Sequence, residues 1–303
     1  MSSSPLLSII INCFNGEKYL SECLKSILLQ TYENYEVIFW DNKSSDNSKN
    51  IFLEIKDKRF KYFNDDDHVS LHSARNKALN FVKGKYISFL DVDDKFFPEK
   101  LKLQVEIMQS NPKIGFCYSG FKFLSEKSGE MKSAYDNKNL KSGYITSDLL
   151  KNYNVGLLTL MLNKKIMDSN NIKFDGRFNI IGDLDLVLRL SKVSLGVPIR
   201  SDLAICRKHT NNLSNRIDLF VKERKIWYEE MLSLKLFNYK ELIPFVEETK
   251  YMDLRNEIKN LNFLKAIRKL IFLKGIFLIK GSILYVFQLI KYLIYKNPFK
   301  FFN

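Results

Sequence analysis

Three aspartates close the stretch "YISFLDVDD": Asp91, Asp93 and Asp94 follow directly on a run of strand-forming apolar residues. Carboxylates this close repel one another and are costly to desolvate. A divalent cation would offset that repulsion, because alternate carboxylates at a strand end can reach a hard metal. Mg2+ or Mn2+ takes one or two carboxylates, waters and phosphate oxygens. The competing reading is a solvated loop that places Asp93 or Asp94 near the N-terminus of a helix opening at Pro98, where negative charge is favourable. An Asp-x-Asp pattern alone does not choose between them.

The elements around the aspartates narrow the choice. "LLSIIINCF" (6–14), "YEVIFWD" (35–41), "RFKYF" (59–63) and "KYISFLD" (85–91) read as strands. Between them, "KYLSECLKSILLQ" and "SARNKALNFVKG" (73–84) have helical spacing, the second closed by Gly84. The first hundred residues thus alternate strand and helix, which predicts an α/β layered fold with a mainly parallel sheet. Ligands of such sheets bind beyond the carboxyl ends of the strands. Asn15, Asp41 and Asp91 end three of these strands, so the sequence places Asp41 and Asp91 on one sheet edge, facing one crevice. Further on, 114–124 reads as a strand, 125–144 as a polar loop or hairpin, 155–167 as a strand leading into a helix, and 182–193 as a helix. The segment 201–214 reads as a strand running into a polar loop, and from about 216 the pattern is mostly helical.

Four blocks, "INCFNGEKYL", "FWDNKSSDNS", "SARNKAL…KGKYISFLDVDD" and "GDLDLVLRL", occur in this order. Together they resemble the family 2 glycosyltransferases, an inverting group with the GT-A fold, over roughly residues 6–215. The resemblance implies a nucleotide-diphospho-sugar donor, with UDP as the default nucleotide, and Mn2+ or Mg2+ as cofactor. The family's Pro-x-Tyr-Asn at the first strand end is here Cys13-Phe14-Asn15 with Asn12 ahead of it, and Phe14 is expected beside the base. Core packing is the bland alternative for Phe14. Asp41 matches the residue that hydrogen-bonds the base, although Asn42 and Lys43 replace the family's second Asp and its Gly. Asp46 is expected to cap a helix. Arg75 matches a donor-contacting arginine, the bland alternative being a surface salt bridge. Asp93 would ligate the metal, Asp91 would contact ribose or metal-bound water, and His209 is the candidate further ligand. Asp183 is implied as general base, preceded here by Gly182 where the family commonly has Glu. Asp185 and Arg189, four apart, read as a supporting helical ion pair.

Composition sets the remaining expectations. The 303 residues carry a net charge of +14, which predicts an anionic partner. Beyond Glu257 the tail has no acidic residue, and its longest uncharged run is roughly ten residues, half a bilayer span. On one continuous helix, Lys265, Arg268, Lys269, Lys280 and Lys291 would share a face, with Lys274 opposite and bends at Gly275 and Gly281. That predicts residues 259–303 lying on an anionic membrane surface, or else a helix packed on the catalytic domain. The expected division is a catalytic domain 1–215 and a helical extension 216–303. Cys13, Cys23, Cys117 and Cys206 have no C-x-x-C spacing and read as reduced, buried thiols of a cytoplasmic protein. No secretory signal pattern opens the chain. Zinc, RRM and helix-turn-helix signatures are absent, which argues against nucleic acid, and no G-x-G-x-x-G follows the first strand, which argues against a dehydrogenase. The family's processive Gln-x-x-Arg-Trp is missing too. The resemblance thus implies a non-processive inverting transferase, and the basic tail predicts one peripheral on the inner face of the membrane. It would add one sugar to a glycan or lipid-linked saccharide in capsule or lipopolysaccharide synthesis. A catalytically silent sugar-nucleotide-binding relative is the alternative.

Overall fold

The computed structural model describes residues 4–296. Four strands, β1 (Leu7–Cys13), β2 (Tyr35–Asp41), β3 (Phe60–Asn64) and β4 (Tyr86–Asp91), lie in the order β3-β2-β1-β4, all parallel. β1 and β2 are buried along their whole length, as strands covered on both faces must be, and this explains their mostly apolar runs, in which buried Ser8 donates to Glu36 at 2.6 Å. Beyond β4 the sheet is mixed. β5 (Lys95–Phe96), β6 (Ile114–Ser125), β8 (Met161–Asn163) and β9 (Leu195–Lys208) continue it as β4-β8-β6-β9-β5, with β7 (Met131–Ser133) hairpinned on β6. In this half only β6 and β9 pair in parallel.

The helices are α1 (Glu17–Leu28), α2 (Ser48–Leu53), α3 (Leu71–Leu79), α4 (Lys100–Ser110), α5 (Thr146–Lys151), α6 (Lys164–Ser169) and α7 (Gly182–Val193). α1 and α4 set Leu20, Leu24, Ile27, Leu101 and Val105 into one core with Leu7, Ile9, Val37 and Phe39. α3 ends at Leu79, earlier than its sequence pattern suggested, so Gly84 does not cap it. The reason for glycine there is close approach: a Cβ on Gly84 would lie 2.5 Å from the backbone nitrogen of Ser8. Cys13, Cys23 and Cys117 are buried, Cys206 is half-buried, and all four are free thiols.

The chain divides into two compact units. One holds residues up to Leu149 together with Tyr153–Asn212, and the other Leu150–Asn152 together with the residues from Leu213 onward. The second unit is built from α8 (Ile217–Ser233), α9 (Tyr239–Lys259), α10 (Phe263–Leu270) and α11 (Gly275–Lys296). Trp227 of α8 packs on Phe245 of α9 at a ring separation of 4.8 Å. Buried Arg224 donates to Thr249 Oγ1 at 2.8 Å and to Glu248 at 2.8 Å. α9 begins with a capping box, Asn238 and Glu241 each accepting from the other's backbone N–H.

The expected continuous C-terminal helix is two helices. α10 stops at Leu270, and α11 starts at Gly275, whose φ of +54° suits glycine. Lys265, Arg268 and Lys269 therefore do not share a helix with Lys280 and Lys291. Lys269 pairs with Asp253 and Glu257 of α9 at 2.8 and 2.6 Å, so it serves the fold. Gly281 does not bend α11; it allows close packing, since a Cβ there would lie 2.7 Å from the Leu254 side chain. Of the tail assigned to the membrane, residues 297–303 lie outside the described residues.

One core lysine gives a test of this packing. Lys100 is fully buried and donates to Ser88 Oγ at 2.9 Å and Gln104 Oε1 at 2.7 Å, with its ammonium 4.0 Å from the Phe96 ring centre. Burial lowers its pKa to about 7. Because the folded-state value lies below the unfolded one, the penalty is full below pH 7 and fades as pH rises toward the unfolded value. Wild type should gain about 2 kcal/mol relative to Lys100→Met between pH 7 and pH 9, read by urea unfolding at both. A pH-independent difference would show that the interior holds this ammonium charged.

Candidate active site

The parallel register sets the site. Cys13 pairs with Asp41 and Asn12 with Asp91, so β2 and β4 end at one edge. Consecutive residues of β1 face opposite sides of the sheet, and cross-strand neighbours share a face. Asp41 and Asp91 therefore share the edge that the strand ends suggested, but start from opposite faces of it.

On the Asp41 face, side chains knit the loops after β1 and β2 together. Asp41 is buried and accepts from Tyr62 Oη at 2.7 Å and from the Ser44 backbone at 2.8 Å. The hydrogen bond and burial push the Tyr62 phenol well up, burial first. Cys13 turns its thiol into the core, 3.8 Å from Ser44 Oγ, so its side chain packs and is not open to a donor. Asn15, held at φ +53°, accepts from the Ser45 backbone at 2.8 Å. Asp46 accepts from the first N–H of α1, at Glu17, and from Ser48 ahead of α2, which is the capping role expected of it. Phe14 is not core: it is 51% exposed, its ring 4.2 Å from His68.

On the other face, α3 carries His72 and Arg75. Arg75 is buried, not a surface residue, and donates to Asp91 at 2.6 Å and contacts His72 Nδ1 at 3.3 Å. Asn12, Trp40 and the Arg75 Nε add buried polar atoms with no protein partner among the described residues. These lie where the carboxyl ends of β1 and β2 meet α3, and they mark a place suited to water or a polar ligand. Periodicity had marked Asn12 and Trp40 only as strand residues.

The turn after β4 carries the other two aspartates. Asp93 Oδ2 lies 2.9 Å from His209 Nε2 and 3.3 Å from Asn212 Nδ2. His209 stacks on Tyr19 at 5.2 Å. Burial raises the Asp93 pKa, and the nearby Asp91 charge adds to that. Asp94 is buried and accepts from the Arg207 backbone at 3.0 Å, tying the turn to β9. Its pKa is also raised, by burial and then by Asp93 and Asp91. β5 intervenes before α4, which begins at Lys100, so neither Asp93 nor Asp94 caps that helix. Among the described residues no group of three or more His, Cys, Asp or Glu side chains forms a metal cage. The residues present fit an ion of the Mg2+ or Mn2+ kind completed by water and phosphate. Neighbouring ligands of an octahedral ion with bonds of ~2.1 Å lie ~3 Å apart, close to the spacing of Asp93 Oδ2 and His209 Nε2.

Asp183 sits in the first turn of α7, its Oδ1 accepting from Leu184 N–H at 2.8 Å. Burial raises its pKa to about 6, with Arg75 working against the rise and Asp91 adding to it. These cross-influences place Asp183, Arg75 and Asp91 in one electrostatic neighbourhood. Asp185 is held by Arg189 through contacts of 2.5–3.1 Å, the structural pair its spacing predicted. Gly182 has a steric cause: a Cβ there would lie 2.3 Å from the ring of buried His72. His72 fills the space beside Asp183 that a larger residue 182 would need.

With this geometry in place, comparison with known proteins agrees. A sequence profile for glycosyl transferase family 2 matches residues 8–162. Over 170 residues the chain is 34% identical to the Escherichia coli UDP-Glc:alpha-D-GlcNAc-diphosphoundecaprenol beta-1,3-glucosyltransferase WfgD, covering 56% of this chain and 64% of WfgD. It is 28% identical over 163 residues to the putative teichuronic acid biosynthesis glycosyltransferase TuaG of Bacillus subtilis, covering 53% and 63%. The chain thus spans less than two thirds of either relative. Residues 1–349 of Staphylococcus aureus TarS superpose with a TM-score of 0.66 at 17% identity, over 83% of this chain and 74% of that one. The same protein bound to UDP-GlcNAc gives 0.65 at 18% identity, over 80% and 71%. The fold is GT-A, and the chain belongs to glycosyl transferase family 2.

Proposed function

We propose that this chain is an inverting glycosyltransferase. It moves one sugar from a nucleotide-diphospho-sugar to a hydroxyl of a glycan or lipid-linked acceptor, in the synthesis of a cell-surface polysaccharide such as capsule or lipopolysaccharide. The observation that carries the reading is the run of contacts from Gly182, next to Asp183, through His72 and Arg75 to Asp91, two residues from Asp93 and its partner His209. UDP is the proposed nucleotide, as in the names of WfgD and the TarS complex. A lipid-linked acceptor has the same kind of support from the name of WfgD, and it would place the enzyme on the inner face of the membrane.

In this reading Phe14 and Asp41 flank the base, the latter held by Tyr62 and Ser44 with lone pairs left to accept an imide N–H. Arg75 and Asp91 position the donor. Asp93 and His209 would hold the divalent cation, which when bound would offset charge on the departing diphosphate. Asp183 takes the proton from the acceptor hydroxyl as that oxygen forms a bond to the anomeric carbon. The bond from that carbon to the diphosphate oxygen breaks with its electron pair going to the leaving group. A single displacement on the face opposite the diphosphate inverts the centre.

Purified protein incubated with Mn2+, an acceptor extract and UDP-, GDP- and dTDP-sugars should release nucleoside diphosphate from one donor. Release should fall at least ~100-fold in both Asp93→Ala and Asp183→Asn. Release unchanged in both variants would overturn these residue roles, and release absent for every donor with nucleotide binding retained would leave a silent relative as the better reading.

The raised pKa of Asp183 gives a second test. Its folded-state value exceeds the unfolded one, so the protein loses stability as pH rises from about 4 to about 6, and the loss is complete above that. A shift of this size corresponds to about 3 kcal/mol at most. Asp183→Asn should therefore melt higher than wild type at pH 7.5, with a smaller gain at pH 4.5, while kcat/KM of wild type climbs with pH through about 6. A variant that melts lower at both values contradicts the assignment of a strained, buried base.

The His72–Gly182 contact yields a third. Gly182→Glu should destabilise by at least ~2 kcal/mol, and His72→Gly in the same chain should recover much of that. A tolerated single variant, seen in its unfolding midpoint, would mean the ring moves freely.

A further inference from the structure

α11 is long and apolar enough to cross a membrane: its Gly275–Tyr292 stretch has a mean hydropathy of 1.3, and only 6% of it is buried. Its 22 residues measure roughly 33 Å. Its packing argues otherwise. Phe277, Leu284 and Tyr285 lie against a small core made by Leu254 and Ile258 of α9, Ala266 of α10 and Leu273. Tyr251 meets Phe277 at 5.5 Å, and Phe263 meets Tyr285 and Tyr292 at 6.0 and 5.2 Å. On the same α9, Asp253 and Glu257 pair with Lys269, and Glu248 pairs with Arg224. A spanning α11 would either carry these charges into hydrocarbon or give up its packed side, and both are costly.

The opposite side of α11 is apolar and uncovered. Ile276, Ile279, Ile283, Val286, Phe287 and Ile290 recur at helical spacing and are each at least half exposed, Ile283 at 67% and Phe287 at 63%. Lys280 and Lys291, eleven residues apart, border this stripe on one flank. Neither makes an ion pair among the described residues. Exposed Lys265, Arg268 and Lys274 add charge on and after α10, beside exposed Leu264, Ile271 and Phe272. No acidic residue follows Glu257 to answer these cations. A second copy of the chain would bring the same positive flank to the same stripe, so charge favours an anionic bilayer as the occupant.

We infer that α11 lies in the plane of an anionic membrane, its Ile276–Ile290 stripe among the acyl chains and its lysine flank at the headgroups, without crossing. This rests on the proposed lipid-linked acceptor for its purpose, since it would hold the enzyme where that acceptor is found. The full chain should sediment with phosphatidylcholine vesicles containing about one third phosphatidylglycerol and not with phosphatidylcholine alone. Binding should fall at least ~10-fold in Ile283→Glu/Phe287→Glu and weaken in Lys280→Glu/Lys291→Glu or high salt. Alkaline carbonate should release the bound chain. Resistance to carbonate would indicate a span and overturn the inference. So would unimpaired vesicle binding by the Ile283/Phe287 variant, or a dimer in vesicle-free solution that this variant dissociates. The apolar variant must retain nucleoside diphosphate release in detergent, which shows it is folded. Lost vesicle binding in wild type with release intact defeats this inference alone; intact binding without release defeats only the proposed reaction.

Discussion

The ion pair between Arg75 and Asp91 is the contact on which the site depends. It joins α3 to the end of β4 at 2.6 Å, with the guanidinium almost fully buried and the carboxylate part-exposed. A buried arginine loses much hydration, and Asp91 restores only part of it. His72 and the Phe174 ring, 5.7 Å from the guanidinium carbon, supply the rest of its setting. The pair acts beyond its own contact. Asp91 adds to the raised pKa values of Asp93, Asp94 and Asp183, and Arg75 restrains that of Asp183. Burial is the largest cause of each rise, and the pair modulates it.

Much of this was legible in the sequence where burial is two-sided and local. β1, β2 and β4 are mostly apolar runs, and each was recognisable because such runs leave no other element possible. The bounds of α7 agree with its 182–193 pattern, along which Asp185 and Arg189 pair one turn apart. Contacts that join distant residues were not legible. Nothing local ties Tyr62 to Asp41, Asn212 to Asp93, or His72 to Gly182, where over a hundred residues separate the last pair. The break between α10 and α11 was hidden for a different reason. Apolar and basic residues keep their rhythm through 271–274, and only the left-handed φ of Gly275 records the turn.

The His72–Gly182 contact also changes how the departure from the family's usual Glu-Asp pair is understood. A glutamate at 182 would set a second carboxylate beside Asp183 and raise its pKa by like-charge repulsion. With glycine there, the rise comes first from burial, and the neighbouring ring is held neutral because burial and Arg75 lower the His72 pKa well below its usual range. A base tuned by desolvation responds little to salt, whereas one tuned by a second charge responds strongly. In the proposed reaction the substitution would change the means of tuning the base rather than remove it.

Charge at long and short range pulls in opposite directions here. A chain at +14 attracts a diphosphate from a distance, yet the turn after β4 meets it with Asp91, Asp93 and Asp94. Arg75 answers one of these charges, and the Arg207 backbone takes one oxygen of another. Among the described residues the Asp93 carboxylate has His209 and Asn212 as side-chain partners. An anionic ligand could approach Asp93 only if its charge were neutralised, by a proton or by a cation shared with the ligand. The protein prepares for either: it raises the pKa of Asp93 and places an imidazole beside the carboxylate. The proton alone leaves nothing positive to meet two phosphates, so in the proposed reaction the acidic turn would serve as one half of a cation site whose other half arrives with the donor.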